Sequence, residues 1–383
     1  LSFLAIIILT PKITTLPLSL TLIYAIGLLT VFDALRVFGN AVFRLEERMQ
    51  FEAGTNILTQ IIILIGGLYA LTFHPSPENL ALAYMTGSAI GLATIVYLIN
   101  KYIRDAFRFF RKDLVKKILV AGWPIGFSAI FGGLLVNMDT VMIGWFLNAE
   151  SVGYYSAAQK PIAFLYLLPA FIIGALLPVM SRYAKSSVDK FRQLMERGLT
   201  ITLLLALPLV AGLVLNSRRI IEIVYGMEFI DAALPMSVLA ITILATFPGS
   251  IITHAIFAFD RQKEMVFMWI VGFIINTVLN LVLIPTIGLL GAAIASVVSQ
   301  FLIIGVFYVK MQKINSFRLF RDTASIMNAS LILILVNLIM ILVNAPFLLI
   351  LLTSVTIYFG ALVALNDPTL KGLLAVVRGR DDT

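Results

Sequence analysis

The sequence predicts an all-α polytopic membrane protein: two parallel six-helix lobes followed by two further helices, with the first two and a half spans of the first lobe absent. Three observations predict it. Hydrophobic residues make up 60% of the 383 residues and charged residues only 13%, with a mean hydropathy of +1.02, and a water-soluble chain of this length cannot cover its surface with so little polar material. Apolar runs of about 20 residues, the length that crosses roughly 30 Å of hydrocarbon, recur from end to end; a β-barrel would show ~10-residue alternating segments instead. The third observation is an internal repeat at an offset of 214 residues.

Taken in order, spans are expected near 17–43, 51–73, 79–100, 117–147, 152–180, 197–215, 231–258, 264–285, 288–310, 323–343 and 346–365, and residues 1–10 read as the tail of one more. The loops 44–50, 101–117, 182–197, 261–263 and 310–321 and the tail from Lys371 hold 23 of the 28 Lys and Arg residues. Positive charge retained on one side of a bilayer marks that side as cytoplasmic, so these loops and the C-terminus are assigned there. The net charge of +8 is therefore a topology signal rather than a nucleic-acid footprint, which needs a basic patch on one surface. No basic region precedes the first apolar run, which excludes a signal peptide. The sequence has no Cys and no Gly-x-x-x-x-Gly-Lys-Ser/Thr, so it encodes neither disulfide, thiolate metal site nor P-loop. It shows no His/Glu metal motif or nucleophile elbow, and no cofactor is implied.

In the repeat, Asn40-Ala-Val-Phe-Arg-Leu-Glu46 lines up with His254-Ala-Ile-Phe-Ala-Phe-Asp260. The same offset carries 17–43 onto 231–257, 51–73 onto 265–287 and 79–100 onto 293–314. Six spans is an even number, so both copies enter the membrane in one orientation, as parallel repeats. The expected organisation is an incomplete N-terminal lobe at 1–100, a basic cytoplasmic linker at 101–116, a six-helix lobe at 117–314, and two additional spans with a cytoplasmic tail at 315–383.

Polar residues inside spans are the candidate site, because a mid-membrane charge costs ~2.5–3.5 kcal/mol and is retained for a purpose. Asp33, Arg36 and Asn40 share one helical face at i, i+3 and i+7. Arg36 is either a cavity cation for an anionic cargo, held by Asp33, or a snorkelling residue about 10 Å from the helix end at Phe43. Asn137, Asp139, Gln159 and Lys160 occupy two segments joined by a short turn. Asp139 lies eight residues from Leu147 and Lys160 eight from Val152. That equal depth allows an Asp139–Lys160 ion pair, an outer-half cargo contact by Lys160, or a coupling-ion site at Asp139. Asn276 and Asn280, at i and i+4 like Asn56 and Gln60, either line a cavity or act as packing glue. His254 is expected near the interface, prolines 124, 161, 169, 208, 235 and 248 interrupt spans, and Gly288, Gly291, Ala292, Ala295 and Ser296 mark close helix packing.

The run Asn137-Met-Asp139…Gly144…Glu150-Ser-Val-Gly153-Tyr-Tyr155…Ala158-Gln-Lys160, then Leu177-Pro178…Ser181, resembles the polysaccharide transporter family, the O-antigen-type flippases of the multidrug/oligosaccharidyl-lipid/polysaccharide exporter superfamily. So does Asp260-Arg-Gln-Lys263, with Asn276…Asn280-Leu-Val-Leu-Ile-Pro285…Gly288…Gly291-Ala-Ala-Ile-Ala295. The resemblance covers residues 20–310. It implies two lobes around a central cavity and alternating access that moves a polyprenyl-pyrophosphate-linked oligosaccharide outward across the cytoplasmic membrane. Membrane lipids, a coupling ion (H+ or Na+) and polysaccharide polymerase machinery are the implied partners. A multidrug exporter of the same superfamily is the nearest alternative, with an acidic or aromatic cavity for cationic drugs. A membrane-embedded glycosyltransferase or polymerase is more remote: the longest expected outer loop, 216–231, is too small to build a sugar site. A purely structural scaffold is the last alternative.

Overall fold

The structure is a computed structural model that describes residues 20–108 and 111–377, and every regular element among them is helical. The chain divides into two units at Ile118 and Leu119. Unit 1 contains α1 (Leu20–Leu45), α2 (Met49–Phe73), α3 (Pro77–Leu98) and α4 (Asn100–Arg108). Helix α3 packs against both α1 and α2. Its start is sharp: Pro77 presets the first helical φ, and Ser76 accepts a hydrogen bond from Asn79 N at 3.1 Å.

Helix α4 takes up the first part of the segment expected as a linker at 101–116, which is helical there and not an open loop. Ile99, Tyr102 and Ile103 pack with Phe43 and Ile95, while Lys101 and Arg104 stay exposed. One apolar face at helical spacing is enough to order a segment whose charge count reads as a loop.

The next helix, α5 (Lys112–Phe146), runs through the division, and its apolar part is Gly122–Phe146. Unit 2 continues with α6 (Ala149–Leu165), α7 (Leu167–Ser186), α8 (Val188–Tyr225), a 3-10 turn at Met227–Ala232, α9 (Ala233–Ala240), α10 (Thr242–Ala258) and α11 (Gln262–Ile314). It ends in α12 (Ala324–Leu342), α13 (Phe347–Ala364) and α14 (Pro368–Val377). Helices α6 and α7 form one interrupted span; Pro169 leaves the carbonyl of Leu165 without its helical donor, and the interruption falls at Tyr166. Met227–Ala240 and α10 form another span, bent by 40°.

The 53-residue α11 is two antiparallel arms that meet at Ile287 (φ −132°, ψ 18°) and Gly288 (φ 61°, ψ −137°). Only glycine adopts the second of these without strain. This break stands 214 residues beyond Phe73–His74, where α2 ends, so the repeat is visible in element boundaries as well as in residues. Counting the arms separately and each bent pair once, the described residues hold the eleven expected spans, and the polytopic all-α reading is borne out. The expected span tail at 1–10 lies outside the described residues.

Span faces follow bilayer logic. On α12, Leu331, Leu335, Leu338 and Leu342 form an exposed apolar stripe, while Ile326, Ala329, Leu333 and Asn337 are buried against α8 and α13. The expected outer loop 216–231 is largely helical: α8 continues to Tyr225 because Ile221, fully buried, and Ile220, Phe229 and Ile230 pack into the main core of unit 2. Asn216 donates to Asn337 Oδ1 at 3.0 Å, Asn337 Nδ2 to Ser354 Oγ at 2.6 Å, and Arg219 Nη1 to Ala345 O at 3.0 Å. These bonds join the C-terminal helices to α8. On the basic side, Glu196 accepts from Arg321 Nη1 at 2.6 Å and from Arg318 N at 2.9 Å, clamping the turn before α12 onto the start of α8.

Candidate functional site

Besides the Asn216–Asn337–Ser354 joint, each unit holds a cluster of polar side chains built on a charged residue at span depth. In unit 1 the cluster is built on Arg36, which is only 9% exposed. Its Nη1 donates to Asp33 Oδ1 at 2.9 Å, one turn back on α1, and to Ser88 Oγ on α3 at 3.1 Å. Its Nη2 donates to Asn56 Oδ1 on α2 at 3.1 Å, and Asn40 Nδ2 shares that oxygen at 3.3 Å. Ser88 closes the ring by donating to Asp33. Three helices therefore hold one guanidinium, whose planar fork suits such a set of fixed acceptors.

Gly91 admits this arrangement: a Cβ there would meet Thr59 Oγ1 and stand 3.0 Å from Arg36 Nε. The guanidinium is held on the Asp33 side, away from Phe43, so Arg36 does not snorkel toward that end of α1. Asp33 is the open side of the cluster, its side chain 51% exposed. Arg36 Nε and Asn40 Oδ1 are buried without a partner, so the ring retains hydrogen-bonding capacity.

In unit 2 the cluster is built on Asp139, which is fully buried. Tyr155 Oη on α6 donates to its Oδ2 at 2.7 Å, and Ser296 Oγ on the second arm of α11 donates to the same oxygen. Asn280 Nδ2 on the first arm donates to Oδ1 at 2.7 Å and to Asn276 Oδ1 at 3.0 Å. Asn276 Nδ2 reaches Ser299 Oγ at 3.3 Å, and Ser299 donates to Ala295 O at 2.7 Å. Tyr155, Asn276, Asn280 and Ser299 are fully buried as well.

This is a carboxylate ringed by hydroxyls and amides with no basic partner within the ring. Such a set can hold a proton, or a small monovalent cation if the amides turn their oxygens inward. Asn280 Oδ1 is already buried without a donor.

The remaining expected residues lie elsewhere. Asp139 and Lys160 share a depth but not a face: Lys160 is exposed, and no ion pair joins the two. Asn137 is exposed and bonds back to Gly133 O at 2.8 Å, while Gln159 Nε2 ties α6 to α5 through Val136 O at 3.0 Å. Gln60 is exposed, and His254 Nδ1 contacts Ser250 O at 2.8 Å within its own helix.

Ser88 is a member of the first ring that sequence reasoning missed, and nothing in its surroundings sets it apart from an ordinary small residue. Tyr155 stood in the motif and Ser296 in the small-residue strip, each without a chemical role. Their signal is the meeting of an Asp, a Tyr and an Asn pair from different spans, which only the fold brings together.

Residues 1–184 match the family described as "Polysaccharide biosynthesis protein". The chain is 25% identical over 268 residues to the "Probable low-salt glycan biosynthesis flippase Agl15" of Haloferax volcanii, covering 68% of this chain and 54% of that protein. It is 30% identical over 167 residues to the "Probable flippase AglR" of the same organism, covering 43% of this chain and 35% of that protein. The chain thus spans about half or less of these relatives' lengths. Its fold is that of the solved "Lipid II flippase MurJ, inward closed conformation", with a TM-score of 0.73 and 17% identity over 89% of this chain and 72% of that one. The resemblance to the polysaccharide transporter family is borne out.

Proposed function

We propose that this polytopic membrane protein, with its first 184 residues in the polysaccharide biosynthesis family, serves a flippase for lipid-linked oligosaccharides. Its lobes, 1–100 and 117–314, would work by alternating access to carry polyprenyl-pyrophosphate-linked repeat units outward across the cytoplasmic membrane, the C-terminus remaining cytoplasmic. The observation that carries the reading is Arg36: a guanidinium at span depth whose counter-ion, Asp33, is half exposed. A pyrophosphate reaching that exposed side takes Asp33's place on the guanidinium, exchanging one anionic partner for another without stranding the charge. The name of the relative Agl15, a probable glycan biosynthesis flippase, supports the same cargo class, and that of AglR supports flipping alone.

Asp139 is assigned the coupling ion, H+ or Na+, because its ring contains a carboxylate, hydroxyls and amides with no competing Lys or Arg. Asn276 and Asn280 belong to that ring, whereas Asn137, Gln159 and Lys160 stand outside it and are assigned to a separate cargo surface, with the exposed Lys160 as its outer-half contact. Polymerase machinery that consumes the exported units is the functional partner.

One observation favours the multidrug reading: Asp33 is an exposed carboxylate in the same ring, and a cationic drug would pair with it directly. The two readings separate by mutation. The test is expression of the gene in a bacterium lacking its own O-antigen flippase, scoring surface polysaccharide, with Arg36→Ala, Lys160→Ala and Asp33→Asn at equal protein level. Rescue by the wild type that is lost in Arg36→Ala supports the flippase. No rescue, with drug resistance that depends on Asp33, overturns it in favour of drug export.

A further inference from the structure

Outside both rings, the two arms of α11 leave a slot of about 570 Å³ at the basic end of unit 2. Its floor is apolar. Phe301, Leu302, Gly305, Val306 and Val309 line it from the second arm and Met268 from the first, and two lysines, Lys310 and Lys313, stand at its mouth. The second-arm residues fall at i, i+1, i+4, i+5 and i+8, a single helical face. From Phe301 to Lys313 the helix rises about 18 Å, close to one leaflet of a ~30 Å hydrocarbon core. Phe301, Leu302, Val306 and Val309 are each about half exposed, and a Cβ at Gly305 would meet nothing within 4 Å, so the slot is open at its middle.

The charges at the mouth are unequal. Lys310 is paired with Glu264, which Arg261 also approaches at 3.5 Å. Lys313 is exposed and has no partner among the described residues. The mouth therefore carries Lys310 and Lys313, with Arg261 held nearby through Glu264, against that single carboxylate. By the positive-inside rule it faces the cytoplasm.

We propose that this slot is a binding site for an anionic glycerophospholipid of the cytoplasmic leaflet. One acyl chain lies in the groove that Gly305 opens, and the phosphate sits on Lys313, with Lys310 divided between the phosphate and Glu264. Charge complementarity selects the headgroup, since basic pockets between spans on this side take anionic lipids. The lining selects a chain over a peptide, because it offers no backbone or side-chain hydrogen bonds along its length. The proposal is independent of the cargo assigned above.

The test uses the purified, delipidated protein in detergent, offered phosphatidylglycerol or phosphatidylcholine with identical chains. Retained lipid is counted by native mass spectrometry. The wild type is expected to retain phosphatidylglycerol in about tenfold preference, as Lys313 in full and Lys310 in part imply for an anionic over a zwitterionic headgroup. Lys313→Gln at an exposed position and Gly305→Leu into open space both leave the fold intact, which elution as a single species checks, and both are expected to abolish the preference. Equal retention of the two lipids by the wild type overturns the proposal. A loss confined to one variant also overturns it, since a built site needs headgroup and chain contacts together. Displacement of phosphatidylglycerol by equimolar polyprenyl phosphate overturns it as well, by making the slot a cargo site.

Discussion

Asp139→Ala is the most informative single change, because it removes one acceptor from three donors. Tyr155 Oη at 2.7 Å, Asn280 Nδ2 at 2.7 Å and Ser296 Oγ all point at its carboxylate, and none of the three side chains is more than 5% exposed. Interhelical hydrogen bonds in membranes average ~0.6 kcal/mol, which sets a floor of about 2 kcal/mol for three of them. Leaving buried donors unsatisfied costs about 1 kcal/mol or more each, which raises the expectation to about 2–4 kcal/mol. Asn280 still reaches Asn276 at 3.0 Å, so it is the least stranded of the three.

The comparison is Arg36→Ala. There Asn56 keeps its bond from Asn40, and Ser88 keeps its bond to Asp33. In the cargo path proposed above, the half-exposed Asp33 carboxylate is rehydrated. That ring closes without the arginine, so the expected loss is about 1 kcal/mol although the residue removed is charged. Reversible unfolding in mixed micelles, read by far-UV circular dichroism, gives both values. If Asp139→Ala costs less than Arg36→Ala, the donor accounting that underlies both clusters is wrong.

Gly91→Val overpacks the first ring against Thr59 and Arg36 and is expected to cost about 1–3 kcal/mol, whereas Gly54→Ala, exposed in α2 with nothing within 4 Å, is expected to raise the melting temperature slightly, since alanine gains up to about 1 kcal/mol over glycine in a helix. Gly288→Ala forces a side chain into φ 61°, ψ −137° and is expected to lose about 1–3 kcal/mol by thermal unfolding. Glu196→Gln loosens the turn before α12, detectable as faster proteolysis there. Because the Glu196 hydrogen bond pushes Arg321 above its ordinary value, that arginine's contribution is complete at every pH below the ordinary arginine range. The wild-type and Glu196→Gln melting temperatures should therefore differ by the same amount from about pH 7 to pH 9.

The spans were legible because hydropathy reports depth, and depth is what a bilayer imposes on every residue alike. Azimuth was not. Asp139 and Lys160 sit at one level on neighbouring helices, yet the carboxylate turns into the unit and the ammonium turns outward. Arg36 could be placed on a face with Asp33 and Asn40 because all three share one helix. Its acceptors Asn56 and Ser88 are 20 and 52 residues away in sequence, and only α2 and α3 packing supplies them. The helix at the start of 101–116 was not legible for a different reason: Ile99, Tyr102 and Ile103 are few against the surrounding charges, but spaced to bury one face. Beyond residue 215, polar Asn216, Ser217, Arg218 and Arg219 suggest a loop, although a helix needs no apolar sequence to continue once Ile221 is anchored.

The Asn216–Asn337–Ser354 joint and the Arg219 bond to Ala345 have an instrumental consequence. Helices α12 and α13 are fastened to α8 by bonds inside one unit, and Leu370 of α14 is buried in the same local core. A spin label or fluorophore on the exposed stripe at Leu335 would thus report the position of unit 2 with little motion of its own. It offers a fixed fiducial against which displacement of any probe on unit 1 becomes a measured distance.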